Sequence, residues 1–248
     1  MDMTQSEIIY VLLCCFAVYT LSTFVQRVCG FGMGIVAILL LPLLIPSYSL
    51  PAAVTNACSA FSASYLAVKY RKDAVVRLVP PVLCGSFVMT FLSVRFSRGA
   101  SLDTLRILLA VMLILMSLWF LFLSKKITIQ PKVRNGVIAG GLGGIMNGLF
   151  ATGGPPVVVF FLGATATHAA YFATIQTYFA FNNIYASAIR ILNGQYSPMV
   201  LLGILGAAPG MLLGNYLGGL LAPHLPDKVI LKSIYIVMLL SGIGMLLK

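Results

Sequence analysis

Acid is what this chain has least of. Five Asp and Glu residues stand against sixteen Lys and Arg, and charged residues together make up 8% of the 248 positions. A soluble domain carries about 25%, so a water-facing surface over most of the chain is excluded. The five carboxylates, Asp2, Glu7, Asp73, Asp103 and Asp227, all fall near the ends of apolar segments. Membrane proton relays and sodium sites use carboxylates at depth, and coupling through such a group is not expected here. Histidine is nearly as scarce, with only His168 and His224, both near loops. There is no His-Glu-x-x-His metal motif and no Gly-x-Ser-x-Gly elbow. An intramembrane enzyme therefore stands behind the non-enzymatic readings. The five cysteines, Cys14, Cys15, Cys29, Cys58 and Cys84, lack metal-ligand spacing and read as small buried hydrophobes. No cofactor and no metal is expected. Met1 to Glu7 holds no Lys or Arg, so the positive region of a secretory signal is missing. The first apolar run is expected to be a retained span with its N-terminus outside.

What the chain does have is apolar length. Hydrophobic residues make up 60% of it, and the mean hydropathy is +1.03. Runs such as Leu105 to Leu123 and Ile230 to Leu247 reach roughly 27–30 Å as helices, the thickness of the hydrocarbon core. The fold expected is an all-α polytopic membrane protein embedded in the bilayer. The net charge of +11 would suggest nucleic acid in a soluble protein. Here the basic residues gather in short loops: Lys69, Arg71, Lys72 and Arg77, then Lys125, Lys126, Lys132 and Arg134. That is the positive-inside bias of cytoplasmic loops, and no nucleic-acid partner is expected.

Ten apolar segments follow, at about 8–26, 31–46, 50–68, 78–96, 105–123, 136–151, 154–163, 167–189, 199–222 and 229–247. Two homologous repeats of about five segments each are expected. Leu105 to Leu113 matches Leu231 to Leu239, with Arg106 on Lys232. The chain divides into a first transmembrane repeat at 1–123, a basic cytoplasmic linker at 124–135 and a second repeat at 136–248. With five crossings per half the repeat is inverted, and the loop charges favour this. Re-entrant short segments would make it parallel.

Two stretches break the helix rule at matching places: Arg27 to Gly34, and Asn147 to Pro156. Lipid offers no water to a broken backbone, so such breaks survive only when buried in protein or lining a wet cavity. Matched Gly/Pro interruptions in two halves point to a transporter's binding site. Gly32, Gly34, Gly153 and Gly154 are expected to bring backbone N–H groups close to a ligand. Arg27, immediately before the first break, either snorkels at the end of its helix or supplies a planar cationic fork for an anion. Asn56, Thr152, Gln176 and Asn183 are candidates to orient that anion, within a polar set that includes Thr55, Ser59, Ser62, Thr174, Thr177 and Asn182. For any one of these, interhelical hydrogen bonding is the competing role. Close packing through small residues accounts for Gly140 to Gly144 and Gly214 to Gly219, but not for Pro155-Pro156.

These residues resemble the sulfite exporter TauE/SafE-type membrane permeases. The resemblance rests on Gly30-Phe31-Gly32-Met33-Gly34 with Pro42 following, on Gly153-Gly154-Pro155-Pro156, on the duplicated layout and on the chain length. It implies a multi-pass protein of the bacterial cytoplasmic (inner) membrane that exports sulfite, sulfoacetate, other sulfonates or related small anions, here by alternating access. An anion channel would use the same polar lining. The sequence is compatible with a homo-oligomer.

Overall fold

A computed structural model describes residues 4–45, 47–123, 130–221 and 227–247. Among them the chain is helical, without strands: α1 Gln5–Cys29, α2 Met33–Leu44, α3 Ser49–Lys69, α4 Val79–Gly99, α5 Leu102–Leu118, α6 Val133–Phe150, α7 Gly154–Ala164, α8 His168–Leu192, α9 Pro198–Leu221 and α10 Asp227–Leu246. A 3-10 turn, Val76–Leu78, leads into α4, and α5 loosens into a π-helical turn at Trp119–Leu123. The linker expected at 124–135 is shorter, because α6 begins at Val133. Residues 124–129 lie outside the described residues, as do Asp2 and His224.

Among the described residues, four stretches are long and apolar enough to cross a membrane: Gln5–Cys29, Val76–Gly99, Leu102–Phe122 and Pro198–Leu221. Their outer faces stay uncovered by protein, with Leu13, Leu92, Leu115 and Leu205 all exposed. Apolar area of that extent is a surface for lipid. The polar helices are inside. α3 faces α8, and Thr55, Asn56, Ser59, Thr174, Gln176, Asn182 and Asn183 are all buried. Around this pair α1 packs on α9, α4 on α6, and α5 on α10.

Glycine ladders set two of these pairings. On α9, Gly206, Gly210, Gly214 and Gly218 recur every fourth residue and so share one face. They lie against Leu12, Phe16, Thr20 and Arg27 of α1. On α6, Gly140, Gly144 and Gly148 lie in the same way on Val82, Ser86 and Thr90 of α4. Without side chains, the two backbones approach to contact, the close packing open to membrane helices.

The two short helices are the exceptions. α2 and α7, of 12 and 11 residues, reach only about 17–18 Å, well short of the hydrocarbon thickness. Each begins at a break, and the residues that follow the break are buried while Leu43, Leu44 and Leu162 at the far ends are exposed. Burial of the break is how membrane proteins tolerate irregular backbone.

Candidate functional site

The first break begins where α1 ends. Gly30 takes a left-handed conformation (φ 80°) and its N–H donates to the Gln26 carbonyl at 2.8 Å. Gly32 follows at φ 108°. Both are conformations that an L side chain resists. The second break ends α6 in the same manner: Ala151 is left-handed (φ 56°) and its N–H donates to the Asn147 carbonyl at 2.9 Å. Among the described residues Ala151 is the one non-glycine with positive φ. Such a conformation costs an alanine roughly 1–2 kcal/mol and persists only where the surroundings hold it. Pro155 and Pro156 then start α7 in its first turn, where a missing N–H is not needed.

The breaks touch. A Cβ built on Gly34 would overlap the Ala151 carbonyl oxygen, and Gly154 lies against Phe31. Between them is a cavity of about 20 Å³, room for about one water. Its wall is Gln26, the turn from Phe31 to Ile35, Ser59, Asn147, the turn from Ala151 to Pro155, Phe179 and Asn183. The first turns of α2 and α7 therefore both face it. First-turn N–H groups have no partner within their own helix, which frees those of Met33, Gly34 and Ile35 in α2 but only that of Gly154 in the first turn of α7, since Pro155 and Pro156 have none. Behind the first break, Phe120 stacks between Phe31 and Tyr235, with ring centroids 6.0 and 4.7 Å apart.

Three asparagines join the cavity to the polar helices. Asn56 Nδ2 donates to Asn183 Oδ1 at 2.8 Å and to Asn147 Oδ1 at 3.3 Å. Asn183 Nδ2 donates to Ser59 Oγ at 3.1 Å and to the Phe179 carbonyl at 2.9 Å. Two polar atoms are left over on the cavity wall: Asn147 Nδ2 and Gln26 Oε1 are buried and have no protein partner. Buried polar groups are nearly always satisfied, and an exception calls for a ligand, a water or an ion. A second cluster shows the contrast. Ser86, Thr90, Tyr178 and Asn182 satisfy one another across α4 and α8, with Ser86 Oγ to Tyr178 OH at 2.8 Å. That cluster joins helices and leaves nothing aimed at a cavity.

A larger cavity, about 570 Å³, lies on the far side of Pro155, which lines both. Gln130, Lys132, Arg134 and Asn135 give it a basic, polar part, while Met116, Trp119, Ile138, Leu142, Pro156 and Val159 give it an apolar one.

The family model described as sulfite exporter TauE/SafE matches residues 15–245, which include every residue of the cavity wall. The chain belongs to the sulfite exporter TauE/SafE family. It is accordingly a multi-pass membrane protein and a membrane transporter of the sulfite-exporter type. No match is found among curated proteins or among solved structures.

In this TauE/SafE chain, six of the residues singled out from sequence line the cavity: Gly32, Gly34, Thr152, Gly153, Gly154 and Asn183. Two stand one layer behind. Asn56 reaches the wall through its amide, and Gln176 Nε2 donates to the Gly30 carbonyl at 3.2 Å, holding the first break in place. Arg27 is elsewhere. Its Nη2 donates to Tyr70 OH at 2.8 Å, and its guanidinium sits 5.5 Å from the Tyr70 and Phe172 rings. One residue turns an α-helix by about 100°, so Gln26 takes the inward place instead. Sequence reasoning also passed over Arg190, which is 1% exposed. The available signal was spacing. Gln176, Asn183 and Arg190 are seven apart, which keeps them on one helix face.

Proposed function

We propose that this protein carries small oxyanions, sulfite or organic sulfonates such as sulfoacetate, out of the cell across the cytoplasmic membrane, with the cavity between the two breaks as the substrate site. The observation that carries this reading is the unpartnered Asn147 Nδ2 on a residue of the cavity wall where two helix N-termini converge. The other unpartnered wall atom, Gln26 Oε1, belongs to an amide that no protein group holds among the described residues and that turns its nitrogen to a bound anion. Amide and backbone N–H groups are donors, and helix N-termini favour negative charge. Among the described residues no carboxylate lines this cavity. An inside-negative potential drives an anion outward by about 2.3 kcal/mol per charge per 100 mV, so export needs no coupling ion.

Transport by alternating access fits the pairing of helices. Exchanging the halves maps α1 on α9 to α6 on α4, and leaves α3 on α8 and α5 on α10 as pairs. Two repeats related by a two-fold axis, inverted or parallel, have this relation. A volume of about 20 Å³ is too small for sulfur with three oxygens, so loading requires the breaks to move apart. The basic cavity behind Pro155 is the natural approach from the cytoplasm.

Proteoliposomes loaded with sulfite or sulfoacetate test the reading. Saturable efflux with counterflow is expected. Non-saturating flux without counterflow would indicate a channel, and no anion flux would end the proposal. Asn147→Asp places a carboxylate where the donor stood. Like-charge juxtaposition costs several kcal/mol, so its apparent affinity for sulfite should fall by at least about a hundredfold. The double variant Lys132→Ala/Arg134→Ala should slow uptake into the site at low ionic strength and match wild type at high salt, because steering by exposed charge is screened.

A further inference from the structure

Arg190 is a guanidinium in the protein interior, paired with no acid among the described residues. Nε donates to Asn56 Oδ1 at 2.8 Å, Nη1 to Gln195 Oε1 at 2.7 Å and Nη2 to the Gly148 carbonyl at 2.6 Å. All three partners are neutral. Among the described residues the one ion pair is Arg106 with Asp103. A buried charge without a counter-charge costs several kcal/mol.

The consequence reaches the cavity through the direction of the hydrogen bonds. A guanidinium has five donors and no acceptor, so Asn56 must turn its Oδ1 toward Arg190. Its Nδ2 then faces the other way and donates to the oxygens of Asn147 and Asn183. Asn183 is fixed independently in the same sense, because the Phe179 carbonyl can only accept from its Nδ2. With its oxygen engaged, Asn147 is left with Nδ2 as its free group, buried and unpartnered. Ser59 Oγ accepts from Asn183, which leaves its own hydrogen to donate. Every bond in the chain points from Arg190 toward the cavity.

We propose that Arg190 is a positioning residue of the site: with Asn183 it holds Asn56 in one orientation, so that Asn147 offers its Nδ2 to an oxyanion rather than an oxygen to a cation, and the bound anion supplies the counter-charge the guanidinium lacks. This rests on the anion-transport reading above and assigns its fixed charge to the second half of the chain, at the end of α8.

Asn56→Asp separates this role from a structural one. The carboxylate keeps the bond to Arg190 and supplies it with a salt bridge, but has no N–H for Asn147 or Asn183. Asn147 then turns its nitrogen to the carboxylate and its oxygen to the cavity, while Asn183, held by the Phe179 carbonyl, keeps its oxygen against the carboxylate. Purified protein is titrated with sulfite and with sulfoacetate at constant sodium, reading the Tm. Wild type is expected to rise with either anion. Asn56→Asp is expected to lower the anion-free Tm modestly, because Asn183 Oδ1 loses its donor, and to lose the anion-dependent rise, with apparent affinity at least about tenfold weaker. Arg190→Lys, still donor-only, should keep more of the rise than Arg190→Gln, whose amide can present either end. If Asn56→Asp does not fold, the Lys against Gln comparison carries the decision. Wild-type affinity in a folded Asn56→Asp, or equal affinities for the two Arg190 variants, would overturn the role of Arg190 while leaving anion transport standing. No response and no flux in wild type would overturn both.

Discussion

Gly34→Ala should abolish anion flux while Gly99→Ala leaves it unchanged. The added Cβ at Gly34 would overlap the Ala151 carbonyl oxygen, lie 2.7 Å from the Ala151 carbonyl carbon and 3.3 Å from Thr152 Cα. All of these are backbone. A flexible side chain gives way at little cost, but the opposing wall is a left-handed turn held by the Asn147 and Met146 carbonyls. The only relief is separation of the two breaks, which dismantles the cavity wall from Gly32 to Ile35 and from Ala151 to Pro155. Overpacking of this kind costs roughly 1–3 kcal/mol, and sub-ångström displacement of a site costs on the order of a hundredfold in rate. The expected readout is therefore unequal: a modest drop in Tm with at least a hundredfold loss of sulfite flux. At Gly99 a Cβ meets nothing within 4 Å, and neither quantity should move. Retained flux in Gly34→Ala would mean that the breaks do not work in contact.

The largest effect on folding is expected at the glycine ladders. A Cβ at Gly210 would overlap the Phe16 carbonyl oxygen, and one at Gly140 the Val82 carbonyl oxygen. Leucine at either place must push a whole helix outward, because the obstacle is the neighbouring helix's own main chain. Packing is lost along α1 with α9, or along α4 with α6, and not at one contact. In a membrane no hydrophobic effect between helices compensates for that loss. Gly210→Leu and Gly140→Leu should each destabilise by about 3 kcal/mol or more, seen as a lower Tm and loss of the monodisperse peak in size-exclusion chromatography. Gly141→Ala, one residue along on α6, meets only Met89 Cγ at 3.7 Å and should be neutral. Equal behaviour of Gly140 and Gly141 variants would remove the ladder as the determinant of packing.

The breaks were legible in the sequence because glycine and proline act on the backbone whatever surrounds them. The ten helices follow the ten apolar runs for the same local reason, with α6 starting at Val133, three residues inside the stretch expected to be linker. The glycine runs at 140–144 and 214–219 read as packing surfaces, and they lie in that role. The polar residues were harder to sort. Asn182 and Asn183 are neighbours of one chemistry. One satisfies Ser86 and Tyr178, and the other lines the cavity. No pattern in one dimension separates them, since the difference is which helix each faces.

By itself, then, the sequence determined that this is a membrane protein with two interrupted helices and few carboxylates, all near the ends of apolar segments, because hydropathy, backbone permissiveness and the count of carboxylates belong to the residues themselves. Tertiary structure alone decided that the interruptions touch, that Gln26 and not Arg27 faces the space between them, and that Arg190 stands behind it. A side chain's direction depends on helix rotation, and an amide's polarity depends on the partner that a distant helix brings to it. Three asparagines drawn from α3, α6 and α8 share a common direction because Asn56 is held from both sides, by Arg190 on its oxygen and by Asn183 Oδ1 on its nitrogen.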